Sequence, residues 1–269
     1  TAEDPDIFYR SKSFVSAFRD VGFMTYWISN QGTQRTAVGN QIALAMGEAD
    51  ETRSTNFGFW NSVLDGALLP ELDQVLADPA PRKLIVLHTL GSHTNYTQRF
   101  PADWTLDPSA LPVREAHGYK DLSDAETQII DAYDKTVSYT DWFLHQIIER
   151  HRSLKTDGAV MYFSDHGQRL YDDGDRQKGH GFPDFKRQDA EIPLLLWLPD
   201  VFAQRYPDRY AAIKRNAAKP VSTANLATSL LDLAGIEVDA MERSASFFGS
   251  GYRPPPRKVL TTDGRIVPQ

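Results

Sequence analysis

Four short apolar segments, residues 23–29, 84–88, 159–164 and 192–198, alternate along the chain with stretches of helical periodicity. Each lies next to turn residues. Their nearly continuous hydrophobicity marks strands covered on both faces, so the sequence predicts an α/β fold: a three-layer sandwich with a largely parallel central sheet. Length and composition agree. The chain has 269 residues, 41% of them hydrophobic and 11% aromatic, enough apolar surface to offset the entropy of ordering one domain over residues 1–269.

The elements follow in order. Residues 11–21 form a short helix stopped by Gly22, and 23–29 the first strand. The second strand, 84–88, runs into a polar loop at 95–119. The longest helix is expected over 124–152. There Ile130, Tyr133, Val137, Leu144, Ile147 and His151 approximate a 3.6-residue stripe, and Ser123 with Glu126 makes a capping box. The third strand, 159–164, is followed by a second polar loop at 167–187, then the fourth strand at 192–198 and a helix at 224–234 ended by Gly235. The tail, 251–269, with Pro254-Pro255-Pro256, is expected to pack as an extended surface segment. Sheets of this kind bind ligands at the carboxyl ends of their strands, which places a site on the two polar loops.

Composition excludes several classes. With 29 Lys+Arg against 36 Asp+Glu the net charge is −7, which argues against a general nucleic-acid binder. The absence of cysteine rules out thiolate metal sites, thiol nucleophiles and disulfide scaffolds. The longest apolar runs, 84–87 and 192–198, fall far short of the roughly 20 residues a spanning helix needs. A start at Thr1, with neither an initiator methionine nor a signal pattern, suggests a piece of a longer protein.

Chemistry concentrates at the strand ends. The second strand delivers Leu87-His88-Thr89-Leu90-Gly91-Ser92-His93, the third delivers Tyr162-Phe163-Ser164-Asp165-His166-Gly167, and His180 follows between Gly179 and Gly181. Asp carboxylate and neutral imidazole are suitable zinc ligands, and a tight glycine turn can aim adjacent side chains at one ion. Each has a plainer reading. Asp165 can cap loop amides with His166 packed in the core, and His93 and His180 can be polar loop residues. His88, within a strand, reads as a buried, hydrogen-bonded histidine. His117, His145 and His151 read as surface residues.

Taken together, these ordered motifs resemble the catalytic domain of the lipopolysaccharide phosphoethanolamine transferases, members of the alkaline phosphatase/sulfatase superfamily. The stretches 22–31, 78–86 and Asp131-Ala132-Tyr133-Asp134 support the resemblance, which covers nearly the whole chain. It implies an alkaline phosphatase/sulfatase-like fold and an enzyme at the periplasmic face of the bacterial inner membrane. Such an enzyme moves phosphoethanolamine from phosphatidylethanolamine onto a zinc-activated threonine and then to lipid A, core or another periplasmic saccharide. By motif position, Asp165 and His166 are zinc ligands, His93 and His180 bind the phosphoryl group or assist the reacting oxygens, and His88 holds a substrate-binding or supporting position.

The resemblance also implies what is missing. The family's nucleophilic threonine, a further zinc-binding glutamate, a central strand and the membrane helices all lie upstream of the matched segment, and Thr1 lacks the nucleophile's motif. This chain is therefore expected to be inactive alone and to bind zinc weakly through two ligands. Gln168 stands where the family usually has glutamate. Two other readings remain: a hydrolase of the same superfamily, although no Cys/Ser-x-Pro-x-Arg site is found, and a non-catalytic domain binding headgroups or partners. Tyr96, Phe100 and Trp104 line an acceptor groove or simply pack.

Overall fold

The computed structural model describes residues 10–32, 37–56, 63–107, 118–119, 121–174, 176–239, 241–261 and 264–268. Helix α1 (Phe14–Asp20) starts where the Ser13 hydroxyl accepts a hydrogen bond from the Val15 amide. Distant Glu48 adds its carboxylate, accepting from the amides and hydroxyls of both Ser13 and Ser16. Four donors hold the Glu48 pKa below its ordinary value although burial opposes them. At the other end Gly22, at φ 85°, lets the chain reverse, donating to the Arg19 carbonyl.

Strand β1 (Met24–Ser29) enters the middle of a three-stranded parallel sheet. Helix α2 (Ala37–Gly47) leads to β2 (Glu51–Ser54), which pairs with β1 from Tyr26↔Glu51 to Ser29↔Ser54. Helix α3 (Leu68–Ala77) returns to β3 (Lys83–His88), which pairs on the other side from Met24↔Lys83 to Ser29↔His88. This register brings the carboxyl ends of β1 and β3 together.

The long helix α4 (Asp124–Leu154) begins at the expected capping box, with Ser123 and Glu126 exchanging side-chain-to-backbone bonds. Its buried stripe differs from the expected one. Ala132, Thr136, Tyr139 and Phe143 are buried with Ile130, whereas Val137 is 48% exposed. Thr136 is tolerated inside because its hydroxyl bonds the Tyr133 carbonyl and the Ser92 hydroxyl, each at 2.6 Å.

Strand β4 (Val160–Phe163) precedes the short hairpin β5 (Arg169–Leu170) and β6 (Lys178–Gly179), then helix α5 (Arg187–Ala190) and strand β7 (Leu194–Trp197). β7 pairs antiparallel with β4, so the expected parallel sheet is limited to β2-β1-β3. Among the described residues, the outer edges of β3 and β4 carry no strand partner. Helices α6 (Asp200–Arg205), α7 (Pro207–Asn216) and α8 (Leu226–Ala234) follow, and Gly235 caps α8 at φ 72°. The tail differs from an extended surface segment. Tyr252 is buried with Phe247 and Phe248, and β8 (Lys258–Leu260) and β9 (Ile266–Pro268) form a hairpin.

Three layers result. Tyr26 and Ile28 of β1 pack with Leu68, Leu69 and Val75 of α3 and Phe143 of α4 on one face. On the other face, Phe18 of α1 packs with Leu231 and Ile236, reinforced by Phe23 and Leu84. The β4–β7 pair is covered only in part, with Leu195 52% exposed. Met161, Leu194 and Leu196 face the Phe247–Phe248–Tyr252 cluster, while Val160, Tyr162, Leu195 and Trp197 line a cavity of about 240 Å³ with Leu144 and Ile148 of α4. Among the described residues no helix is long and apolar enough to cross a membrane.

Candidate functional site

The site is assembled where β1, β3 and β4 end. β3 leads into a turn held by buried Asp65, whose carboxylate accepts from the amides of Leu90 and Gly91 at 2.9 and 2.8 Å. Buried Asn30, just past β1, donates to the same carboxylate and to the Val63 carbonyl. These contacts carry the turn into His93, whose amide bonds the Leu90 carbonyl. His88 is hydrogen-bonded, as expected, and half-buried rather than fully buried. Its Nδ1 is 2.9 Å from the Ser29 hydroxyl, its ring packs edge-on to Trp27, and burial pushes its pKa down.

From β4 the chain passes through Ser164 to Asp165 and His166. His166 Nδ1 lies 2.8 Å from the Gly167 carbonyl, an acceptor only, so the ring proton sits on Nδ1 and the Nε2 lone pair is left for a ligand. That Nε2 is 3.9 Å from Asp165 Oδ1, and the Asp165 side chain is 88% exposed. Gly167 is required sterically: a Cβ there would meet the Gln188 carbonyl oxygen at 2.0 Å.

His180 stacks against His166, with ring centroids 3.7 Å apart and 35° between the planes. Burial lowers its pKa, and the neighbouring rings of His166 and His93 lower it further. His166 and His180 are thus in contact, Asp165 adjoins His166, and His93 is within electrostatic reach of His180, as His88 is of Asp165. Gln168 ties the two loops together, its amide donating to the Ser92 carbonyl and its oxygen accepting from the Tyr96 hydroxyl.

A zinc ion requires three or four such donors. The free Nε2 of His166 and the open Asp165 carboxylate fit zinc chemistry as a pair, but no group of three or more metal-binding side chains gathers among the described residues.

The other expectations resolve by packing. Tyr96 is buried against Ala132, Leu170 and Tyr133, Phe100 lies under Lys135, and Trp104 packs on Tyr139 and Trp142, so these aromatics are core rather than groove. His145 is exposed, as read from the sequence. His151 is not a surface residue. Its Nδ1 is buried without a hydrogen-bond partner among the described residues, and its ring packs edge-on to Trp197. His117 lies outside the described residues. Sequence reading missed Asp65, Asn30 and Arg169, whose roles depend on contacts with remote loops.

The layered α/β fold is of the alkaline phosphatase/sulfatase-like class, and residues 5–236 match the family model described as Sulfatase. The chain belongs to the sulfatase family. It is 27% identical, over 93% of its length, to phosphoethanolamine transferase EptC of Escherichia coli strain K12. It is 32% identical, over 58% of its length, to the Kdo(2)-lipid A phosphoethanolamine 7''-transferase of Salmonella typhimurium. The chain spans 43% of the former relative and 27% of the latter. The crystallised C-terminal periplasmic domain of EptC from Escherichia coli superposes with a TM-score of 0.85, covering 100% of this chain and 74% of that one at 24% identity. The same domain in complex with Zn gives 0.78, covering 91% and 67% at 25% identity.

Proposed function

We propose that this chain is the catalytic part of a zinc-dependent phosphoethanolamine transferase at the periplasmic face of the bacterial inner membrane. The observation that carries the reading is the contact between the His166 and His180 rings beside Asp165, with His93 within electrostatic reach of His180. It sits in a chain that matches named phosphoethanolamine transferases over most of its length.

Asp165 and His166 Nε2 would hold zinc, with the remaining ligands supplied from a segment outside this chain. When bound, zinc lowers the pKa of a coordinated hydroxyl and offsets phosphoryl charge. His93 and His180 flank that position and bind the phosphoryl oxygens of phosphatidylethanolamine, holding the proton that the leaving glycerol oxygen takes up. The phosphorus passes to a threonine hydroxyl of the outside segment: the threonine O–P bond forms and the glycerol O–P bond breaks. A second displacement delivers phosphoethanolamine to lipid A or core saccharide of lipopolysaccharide and frees the threonine. His88, held by Ser29, supports the substrate from the base of the site.

The test uses a longer protein that includes the upstream segment, in membranes with phosphatidylethanolamine and lipopolysaccharide, scored by mass spectrometry of the acceptor. Alanine at Asp165, His93 or His180 is expected to cut transfer by at least about 100-fold. Full transfer by Asp165→Ala overturns the zinc assignment. Free phosphoethanolamine with an unmodified acceptor points instead to a hydrolase of the same family. No turnover by the unaltered protein points to a non-catalytic domain.

A further inference from the structure

Among the described residues Arg169 is the largest fully buried side chain, 1% exposed, yet it carries a permanent charge. Its guanidinium forks onto Asp189 through Nε, at 2.9 Å, and Nη2, at 2.5 Å. It also reaches the carboxylate of Asp184 at 3.1 Å, the carbonyl of Asp184 and the side chain of Gln177, and it lies 4.7 Å over the Phe182 ring. Removing such a charge from water is costly, and it persists only where several acceptors surround it.

What those acceptors have in common is their place in the chain. Arg169 is three residues past His166 and stands opposite Gly179, the neighbour of His180, in the β5–β6 pair. Gln177, Phe182 and Asp184 belong to the segment that carries His180, and Asp189 to helix α5 directly after it. Asp189 closes the circuit, because its backbone carbonyl accepts from the Gly167 amide next to His166. The arm bearing His166 and the arm bearing His180 thus meet at one buried fork.

We infer that Arg169, with Asp189 and Asp184, is the clasp that sets His180 against His166: a set of positioning residues that never touch substrate. This rests on the reading of His166 and His180 as site residues. A lysine cannot replace the fork, since its ammonium is a single point with no planar bidentate face.

The experiment uses the 269-residue chain without metal. Three readouts are taken: the proton–proton NOE between the His166 and His180 rings, the urea unfolding midpoint, and a zinc titration followed on the His166 ring signals. Arg169→Lys is expected to lose the NOE and to weaken the zinc response by roughly 10–100-fold, as loss of a group orienting a ligand does. The double change Arg169→Met with Asp189→Leu replaces the buried pair by apolar side chains, which restores stability in other proteins. A native unfolding midpoint with the NOE still absent supports the clasp, because a purely structural role would recover along with stability. Asp184→Asn, at a half-exposed carboxylate, keeps the fold in any case and is expected to reduce the NOE. A wild-type NOE in Arg169→Lys, in the double variant or in Asp184→Asn overturns the inference. Unaltered chain that shows no zinc response while the NOE depends on Arg169 leaves the clasp supported, and the zinc reading is then decided by transfer in the longer protein with Asp165→Ala.

Discussion

At the scale of single residues, placement is decided by steric fit and by where each polar atom finds a partner. Gly167 has the Gln188 and Glu191 carbonyl oxygens at 2.0 and 3.0 Å from where a Cβ would stand, both backbone atoms that cannot turn aside. Gly167→Ala is therefore expected to cost about 2–3 kcal/mol in urea unfolding, the upper range for overpacking, and to displace His166. His151 and His88 make the stability pH-dependent. Burial lowers the pKa of both in the folded chain, so the unfolded chain binds their protons more readily. Their contribution is complete above the unfolded value of about 6.5 and falls as pH drops from there towards the folded values. Replacing His151 by Phe is expected to flatten the unfolding midpoint between neutral and mildly acidic pH. An unchanged pH slope would show that His151 titrates normally.

At the scale of elements, local signals set where helices begin and end. The capping box of α4 satisfies otherwise orphaned donors at Ser123 and Glu126, and Glu126 is further tied to Arg176 at 2.8 Å. Ser123→Ala is expected to lower stability by about 1 kcal/mol, measured by urea unfolding, while leaving the site contacts in place. The strands at 23–29, 84–88, 159–164 and 192–198 were legible because a run of apolar residues between turn signals has few other uses. β2, with the sequence Glu-Thr-Arg-Ser, was not: its strand character comes from pairing with β1 rather than from its side chains. The buried stripe of α4 was shifted for a similar reason. Thr136 looks polar in sequence, and its burial is acceptable because its hydroxyl bonds the Tyr133 carbonyl and the Ser92 hydroxyl.

At the scale of the whole molecule, the parallel register of β1 and β3 sets Ser29 beside His88, and the loops after β4 bring His166 against His180 beside Asp165. The same architecture leaves β3 and β4 without a strand between them among the described residues, with an apolar cavity beside α4. Two convergent zinc donors fall below the usual three or four, so the 269-residue chain is expected to lose zinc on gel filtration in metal-free buffer. Tight, stoichiometric zinc that disappears in Asp165→Ala would show instead that the chain completes the site by itself.

The sequence by itself determined the fold class, the four principal strands, the long capped helix and the candidate residues His88, His93, Asp165, His166 and His180. These follow from periodicity, glycine turns and ordered motifs, all of which are local in the chain. Only the tertiary structure decided that Tyr96, Phe100 and Trp104 pack inward, that the Nδ1 of His151 is buried, and that Arg169 and Asp65 bond the loops that carry the histidines. A buried charge or carboxylate looks like any polar loop residue until its acceptors and donors arrive from 15 or more residues away. Their contributions depend on contacts that no local pattern records.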